Sequence, residues 1–236
     1  MQIKVIAVGT KRWERWLRRW GISFLIEEDI LFDTFGDAYV FLRNLRQMQV
    51  DISKIKHIIL SHSHWDHISG LWHIINKHKD INVYICPNFK QEIKEKIRAS
   101  GANVIEVGSF LNICGNVYST GEIYGKQKGS DIYEQAMVIK TQKGISIVCG
   151  CAHPGILNIV NEVKRFFKEN IYLIIGGLHL KESTQEQIEE VVHRLKLERI
   201  IKIAPTHCTG KIGTNLLAKE YVDNFVQVKQ GCVIEI

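Results

Sequence analysis

The stretch KIKHIILSHSHWDHISG, residues 54–70, joins an apolar run to a cluster of potential metal ligands. The first seven residues predict a buried β-strand. The segment SHSHWDHISG then places His62, His64, Asp66 and His67 within six positions. Burying so many imidazole and carboxylate groups without a partner would be costly, so the cluster predicts a metal site.

The spacing within this cluster suggests how its side chains are shared between ions. On an extended segment alternate side chains point the same way, so His62 and His64 can converge on one ion beyond the strand end. Asp66 and His67 follow where the chain turns into a helix, and they can face a second ion. Imidazole and carboxylate ligands suit Zn²⁺ and also iron or manganese, so the ligand types leave the metal open.

Three further histidines each follow directly on an apolar strand. They are His153 in ISIVCGCAHPG, His179 in YLIIGGLHL and His207 in IIKIAPTHCTG. Residues at strand ends on glycine-rich turns are well placed to line a site. Together with the first cluster they make a set of seven ligands, enough for two ions with open coordination positions.

The rest of the chain predicts a layered α/β (α+β) protein. Strands are expected near 3–8, 22–26 and 29–33, and five more between 103 and 149. Helices and strands alternate in the last third, which ends in short strands at 225–228 and 232–235. This order implies helices packed outside sheet layers. With only three prolines and no linker, we expect a single domain, 1–236.

Composition limits the setting in which the protein works. Hydrophobic residues make up 45% and charged residues 24% of the chain, as in ordinary soluble proteins. MQIKVIAVGT reads as a strand and not as a signal peptide, and no run approaches the roughly 20 apolar residues of a membrane span. We therefore expect a cytoplasmic protein without a membrane partner. The six scattered cysteines read as reduced thiols that pack as small apolar residues.

The charge distribution favours a small anionic substrate over nucleic acid. The net charge is +6, and most basic residues are dispersed along the chain. The exception is KRWERWLRRW, residues 11–20. It can be a solvated amphipathic segment or a lid in which cations attract an anion while tryptophan walls off the substrate; a nucleic-acid or membrane role is a third reading. The lid reading nominates substrate-binding residues: Arg12, Arg15, Arg18, Arg19 and Trp20. GEIYGKQKGSD, residues 121–131, predicts a loop that could also rim the site.

These motifs resemble those of the metallo-β-lactamase superfamily. SHSHWDHISGL is close to its S-H-x-H-x-D-H-x-x-G motif, and ILFDT (30–34) resembles its early strand ending in aspartate, here Asp33. GCAHPGILNIV, IIGGLHL and PTHCTG are similar to a subgroup of 7,8-dihydropterin-6-methyl-4-(β-D-ribofuranosyl)-aminobenzene-5′-phosphate synthase-like proteins. The resemblance covers essentially the whole chain. It implies a four-layer αββα sandwich with the metal site at one edge, between two sheets.

The resemblance also implies a division of the ligands. His62, His64 and His153 would hold a first ion, and Asp66, His67 and His207 a second. Many members have an aspartate that bridges both ions, whereas here His179 occupies roughly that place. A neutral imidazole has one lone pair and cannot readily bridge, so we expect His179 to bind one ion or to hydrogen-bond the substrate.

These observations predict a metal-dependent hydrolase that uses a metal-bound hydroxide on a small ester, lactone or phosphoester. The cofactors would be two divalent ions, zinc first, with iron or manganese as alternatives. Asp66 is the candidate catalytic residue, and Asp33 and Ser61 would orient the ligands. A di-iron protein handling O₂ or NO and a non-catalytic metal-binding module are the alternatives. The oligomeric state stays open.

Overall fold

The computed structural model describes residues 1–11, 13 and 16–236. Arg12 and Arg15, two of the candidate substrate-binding residues, lie outside the described residues. Within the described part of the chain, no helix is of a length and apolarity that would let it cross a membrane.

The first sheet contains the strand that leads into the histidine cluster. Among the described residues this sheet has seven strands, whose bounds follow here; their order across the sheet is β15-β1-β2-β3-β4-β5-β6. The strand bounds are β1 Gln2–Gly9, β2 Gly21–Ile26, β3 Ile30–Phe32, β4 His57–Ile59, β5 Asn82–Ile85, β6 Asn103–Glu106 and β15 Val233–Glu235. From β3 to β6 neighbouring strands are parallel, whereas β1 pairs antiparallel with β2 and β15.

The second sheet carries the remaining histidines at its strand ends. Six strands in the described chain form it, in the order β14-β13-β12-β11-β8-β7. Their bounds are β7 Leu111–Cys114, β8 Val117–Ser119, β11 Met137–Thr141, β12 Gly144–Cys149, β13 Ile171–Gly177 and β14 Lys202–Thr206. Strands β12, β13 and β14 are parallel neighbours. A separate hairpin pairs β9, Ile123–Gln127, with β10, Ser130–Glu134.

Helices cover the outer face of each sheet. Over residues 16–236 they are α1 Ala38–Gln47, α2 Trp65–Ile68, α3 Leu71–Ile75, α4 Gln91–Ala99, α5 Ile156–Phe167, α6 Gln185–Leu197 and α7 Gly210–Tyr221. Helix α1 begins where the Asp37 carboxylate accepts from the backbone N–H groups of Tyr39 and Val40, both at 3.0 Å. A capping box of Thr184 and Gln187 starts α6 in the same way.

Three apolar clusters hold these layers together. Between the sheets, Phe24, Phe32 and Val148 belong to one cluster. Outside the first sheet, residues such as Phe41 and Leu71 pack from the helices, and outside the second sheet residues such as Val163 and Val192 do the same. Two sheets packed face to face and flanked by helices form an αββα sandwich, which confirms the predicted fold class.

Two local expectations are wrong. Residues 225–228 form no strand among the described residues, since Phe225 makes only an isolated bridge to Ile203. Residues 121–131 were expected to form a loop, yet strand β9 and the start of β10 occupy most of this range. The hairpin turn has Lys128 at φ 49° and Gly129 at φ 82°. Positive φ at both central residues is typical of a type I′ turn, which matches the twist of antiparallel strands.

The fold collects the sequence motifs at one edge of the sandwich. The histidine cluster follows β4, while His153, His179 and His207 follow β12, β13 and β14. The carboxyl ends of parallel neighbours lie side by side, with Cys149 opposite Gly176 and Gly177 opposite Thr206. Ligand sites of open α/β sheets characteristically lie beyond such carboxyl ends.

Candidate metal centre

His62, His64 and His153 come together as a first ligand group. A ring nitrogen from each lies within 4.8 Å of the others. Nε2 of His62 and Nδ1 of His64 are 2.9 Å apart, at the end of the extended segment that follows β4. The alternation along this segment therefore does bring His62 and His64 to the same point, and the turn after β12 brings His153 to meet them.

Asp66, His67 and His207 come together as a second ligand group. Oδ2 of Asp66 lies 3.4 Å from Nε2 of His67 and 3.4 Å from Nε2 of His207. With metal–ligand bonds of about 2.0–2.2 Å, two ligands on a tetrahedral ion are about 3.4 Å apart. The spacing within the second ligand group therefore suits a divalent ion.

Unpaired buried nitrogens also show that these residues fit metal ions. Among the described residues, Nε2 of His153 and Nε2 of His207 are buried and have no hydrogen-bond partner. The other ring nitrogen of each is paired: Nδ1 of His153 lies 2.7 Å from Glu134, and Nδ1 of His207 lies 3.1 Å from the Gly9 carbonyl. Metal-binding histidines characteristically pair one nitrogen in this way and present the other to the ion.

Asp33 orients the histidine cluster from the end of β3. Its Oδ1 accepts from the Ser61 backbone N–H at 2.7 Å, and its Oδ2 accepts from the Ser61 hydroxyl at 2.7 Å. The same Oδ2 lies 2.6 Å from Nδ1 of His67. The Ser61 Oγ is in turn 2.9 Å from Nδ1 of His62. Asp33 and Ser61 thus contact one histidine in each ligand group, as expected of residues that orient ligands.

Glu134 plays the corresponding part on the other side, and the sequence reasoning missed it. This buried carboxylate at the end of β10 accepts from the backbone N–H groups of Cys151, Ala152 and His153 at 2.7–2.9 Å. It also holds Nδ1 of His153. Glu134 lies between the segment 121–131, which was expected to be a loop, and the predicted strand AMVIKT, and it belongs to no motif. Only recognition of the β9–β10 hairpin could have drawn attention to it.

Cys151 is the second omission, and Cys208, beside His207, was weighed as a ligand but expected to be structural. The six cysteines are free thiols in the described structure, as expected, and Cys86 and Cys149 pack in apolar clusters. Cys151 and Cys208 instead line the cavity in front of the ligand groups. His179 lies in the same place, with a ring nitrogen within 4.8 Å of Cys151 Sγ and of a His153 nitrogen.

Burial and neighbouring charges set the protonation of the metal-free site. Burial lowers the pKa of His64 to about 4, and burial together with the nearby His67 holds the pKa of His62 well below its usual range. Although burial opposes its charged form, the carboxylates of Asp33 and Asp66 keep the pKa of His67 well above that range. An ion that binds at Nε2 of His67 therefore displaces a proton.

The backbone at the site is strained in several places. Asp33, Ala152, His179 and His207 adopt left-handed conformations, with φ between 51° and 58°. Such conformations cost free energy for residues other than glycine and persist only where the surroundings enforce them. Gly177 shows how close the packing is, because a Cβ atom there would lie 2.6 Å from Cys208 Sγ. The turns that present the ligands are therefore fixed by their surroundings.

The rim of the cavity is polar and aromatic, and we use "the rim" for Trp20, Gln127, Lys181 and Glu182. The cavity has a volume of about 150 Å³. The Trp20 ring centroid lies 4.7 Å from that of His207, and Nζ of Lys181 lies 4.4 Å from the Trp20 ring centroid. The predicted loop does reach the site, since Gln127 comes from the β9–β10 hairpin.

Arg18 and Arg19, the two candidate arginines that the structure describes, contact side chains other than the proposed ligands. The Arg18 guanidinium lies 5.1 Å from the centroid of the Trp65 ring. Nε of Arg19 lies 3.6 Å from Oδ2 of Asp37, at the start of α1. Neither arginine is among the residues that line the cavity, whereas Trp20 and Trp65 are.

Comparison with known proteins agrees with this arrangement. The family model described as the metallo-beta-lactamase superfamily matches residues 23–118, which include β3, Asp33 and the whole histidine cluster. The matched segment resembles the metallo-β-lactamase superfamily. The resemblance stated from the motifs is therefore confirmed.

Two relatives from Methanocaldococcus jannaschii extend the likeness beyond the matched segment. A 7,8-dihydropterin-6-methyl-4-(beta-D-ribofuranosyl)-aminobenzene-5'-phosphate synthase is 29% identical over 91% of this chain and 89% of its own length. An uncharacterized protein is 28% identical over 98% of this chain and 99% of its own. Both likenesses span nearly the whole of each chain, so they include the second sheet and its histidines.

Solved structures of the superfamily share the fold along the full chain. Tm1679, a metal-dependent hydrolase of the beta-lactamase superfamily, superposes with a TM-score of 0.81 at 23% identity, over 100% of this chain and 99% of that one. A diphosphatase from the PhnP family superposes with a TM-score of 0.60 at 12% identity, over 100% and 97%. At these identities the likeness concerns the fold.

Proposed function

We propose that this protein is a hydrolase with a two-ion site that acts on a small anionic ester that carries a phosphate. The observation that carries the proposal is the pairing pattern of the histidines. One nitrogen of His67, His153 and His207 is held by Asp33, Glu134 or a backbone carbonyl, and the other faces the site. Such a pairing pattern is characteristic of metal-binding histidines.

The two ligand groups divide the work of holding the cofactors. His62, His64 and His153 would bind one ion, and Asp66, His67 and His207 the other, with zinc as the first choice and iron or manganese as alternatives. A pair of divalent ions would supply a hydroxide nucleophile at neutral pH and polarise the scissile bond. Asp33 and Glu134 fix the ring orientations, so the site needs little rearrangement when substrate arrives.

Asp66 is the proposed catalytic residue of the chain. Its side chain is 10% exposed, and it lines the cavity while Oδ2 faces the two histidines. His67 and His207 hold the pKa of Asp66 below its usual range even though burial opposes this. An ionised carboxylate at the cavity surface can accept a hydrogen bond from a nucleophilic water and orient it.

The rim supports the choice of an anionic substrate. Lys181 stands over Trp20 at the cavity, where an ammonium group can pair with a phosphate or carboxylate as a point charge. The chain as a whole carries a net charge of +6, which favours the approach of an anion. The cavity is small, so a small molecule suits it better than a polymer. Arg12 and Arg15 keep their proposed lid role, and no nucleic-acid partner is proposed.

A substrate screen tests the proposal. Protein stripped of metal and reloaded with zinc, manganese or iron would be assayed against lactones, thioesters, phosphodiesters and phosphomonoesters. We expect hydrolysis of at least one phosphoester to depend on added metal and to fall in the Asp66→Asn variant. Equal activity of stripped and reloaded protein would overturn the proposal, as would binding of no metal at all.

A synthase is the second candidate, because the likeness to the aminobenzene-5'-phosphate synthase spans nearly the whole chain. That name describes a product with a phosphate group, so the Lys181 ammonium at the rim suits this candidate as well. The two functions separate in one assay. Metal-dependent turnover that requires two organic substrates would favour the synthase, whereas turnover of one ester with water would favour the hydrolase.

A further inference from the structure

We propose that Cys151 is the anionic ligand that bridges the two ions. The inference rests on the two-ion site of the proposed function and deepens it. A shared anion lowers the repulsion between two positive ions held close together, and His179 cannot supply one because a neutral imidazole offers a single lone pair. A thiolate carries a negative charge and more than one lone pair, and it is a strong zinc ligand.

The position of Cys151 is the observation that carries the proposal. Its Sγ lies within 4.8 Å of ring nitrogens of His62 and His153, in the first ligand group, and of His67 and His207, in the second. The Sγ of Cys151 is 3.5 Å from Nε2 of His67. Sulfur and nitrogen ligands on one tetrahedral zinc, with bonds of about 2.3 and 2.0 Å, are about 3.5 Å apart. Cys151 thus stands between the two ligand groups at coordination spacing.

Unpartnered nitrogens on both sides point to ligands that this sulfur would share. Nε2 of His153 and Nε2 of His207 are buried without hydrogen-bond partners in the described chain, and each belongs to a different ligand group. The residues themselves are 7% and 1% exposed. Cys151, which is 4% exposed, lies between them. If Cys151 only packed as an apolar residue, the two buried nitrogens beside it would stay unpaired at a cost in free energy.

The other acidic and sulfur groups that the structure describes near the site are less suited. The oxygens of Asp33 and Glu134 are already taken by N–H and O–H donors. Glu182 pairs with Lys128 at 3.3 Å and is more than half exposed. Among the described residues, Cys208 forms a candidate metal group with Cys151 and His207. It therefore lies near a ligand of the second group and near none of the first.

The loop around Cys151 is built to hold it in place. Glu134 accepts hydrogen bonds from the Cys151 and Ala152 backbone N–H groups at 2.7 and 2.8 Å. Gly150, before Cys151, leaves no room for a side chain, because a Cβ there would collide with the Ser61 side chain. The carboxylate that orients His153 thus also positions Cys151, so the bridging ligand and a terminal ligand are fixed together.

Cobalt titration tests the proposal by spectroscopy, independently of any activity. Stripped, fully reduced protein would be titrated with Co²⁺ under anaerobic conditions. We expect visible d–d bands together with a near-ultraviolet thiolate-to-cobalt charge-transfer band. The charge-transfer band should be lost in Cys151→Ala and Cys151→Ser, and it should persist in Cys208→Ala. Cys149→Ala is the matched control, since Cys149 is buried two residues away but packs against helices.

X-ray absorption of the zinc-loaded protein separates a bridge from a terminal ligand. Each zinc counts a shared sulfur, so a bridge gives about one sulfur per zinc, and a terminal cysteine gives about half. Cys151→Asp serves if the smaller variants fail to fold: it should still bind two ions without the charge-transfer band. About half a sulfur per zinc, or a band that survives in folded Cys151 variants, would overturn the bridge.

Failure of the bridge and failure of the site give different results. Cobalt d–d bands without a charge-transfer band in the unaltered protein would reject Cys151 as a ligand and leave the two-ion hydrolase standing. If neither cobalt nor zinc binds the unaltered protein, both the bridge and the proposed function fall.

Discussion

The two ligand groups and the rim differ in how their side chains are held. The six side chains of the ligand groups extend from strand ends and a short helix, and most are almost fully buried with carboxylate or backbone partners. The rim contains Gln127 from a hairpin tip and Glu182 from a surface turn. Glu182 forms an ion pair with the exposed Lys128. We therefore assign the chemistry to the buried ligand groups and the choice of substrate to the rim. Substitutions in the ligand groups should lower kcat/KM strongly, whereas substitutions at the rim should change KM slightly.

The largest effect is expected for His62→Ala. Its loss opens the first ligand group, and forfeiting about 4 kcal/mol of transition-state stabilisation reduces kcat/KM about a thousandfold. Steady-state kinetics on the substrate found by the screen would measure this. His193→Ala, on the exposed face of α6, is the matched control and should retain activity. A fully active His62→Ala protein would contradict the assignment of the chemistry to the ligand groups and not to the rim.

Removal of metal should destabilise the protein itself. Ions that bind only the folded chain stabilise it by about 4 kcal/mol when their concentration is a thousand times Kd. For a chain of this size each kcal/mol shifts Tm by about 2–4 °C, so chelation should lower Tm by roughly 8–16 °C. Differential scanning calorimetry with and without chelator would show the shift. The His62→Ala protein should show a smaller one, and equal shifts would argue against binding at the first ligand group.

Glu134→Gln should weaken metal binding without removing a ligand. The amide keeps the size of the carboxylate but turns an NH₂ group towards N–H donors of Cys151 or His153, which disturbs both. Loss of such an orienting partner typically lowers metal affinity about 10- to 100-fold. Zinc competition with a chromophoric chelator would measure it. Glu106→Gln, an exposed partner of Lys94 and Arg98, should leave the affinity unchanged.

The smallest effect is expected at the rim. Lys181→Ala should raise KM for an anionic substrate about two- to fivefold, corresponding to about 0.5–1 kcal/mol for an exposed charge pair, and leave kcat nearly constant. A neutral ester should show no such change. Lys202→Ala, at the far end of β14 from His207, is the control. A large fall in kcat for Lys181→Ala would place this residue in the chemistry and blur the comparison.

The structure also separates what the motifs could predict from what they could not. The histidine cluster predicted the strand end, the turn into a helix and the convergence of His62 and His64, because these follow from the local periodicity of the chain. Glu134 could not be found in this way. It lies 19 residues before His153 in the chain, and only the pairing of β9 with β10 and the packing of the sandwich bring its carboxylate under that imidazole.

The sequence by itself predicted the resemblance to the superfamily, the layered fold and the identity of seven side chains that meet at one edge. Those features depend on alternation, strand ends and residue chemistry, all of which are local. Only the tertiary structure decided that Cys151 stands between the two ligand groups, that Arg18 and Arg19 contact Trp65 and Asp37, and that Lys181 lines the cavity. Those placements depend on which turns pack against one another, because distances between side chains far apart in sequence are fixed by the packing of whole sheets.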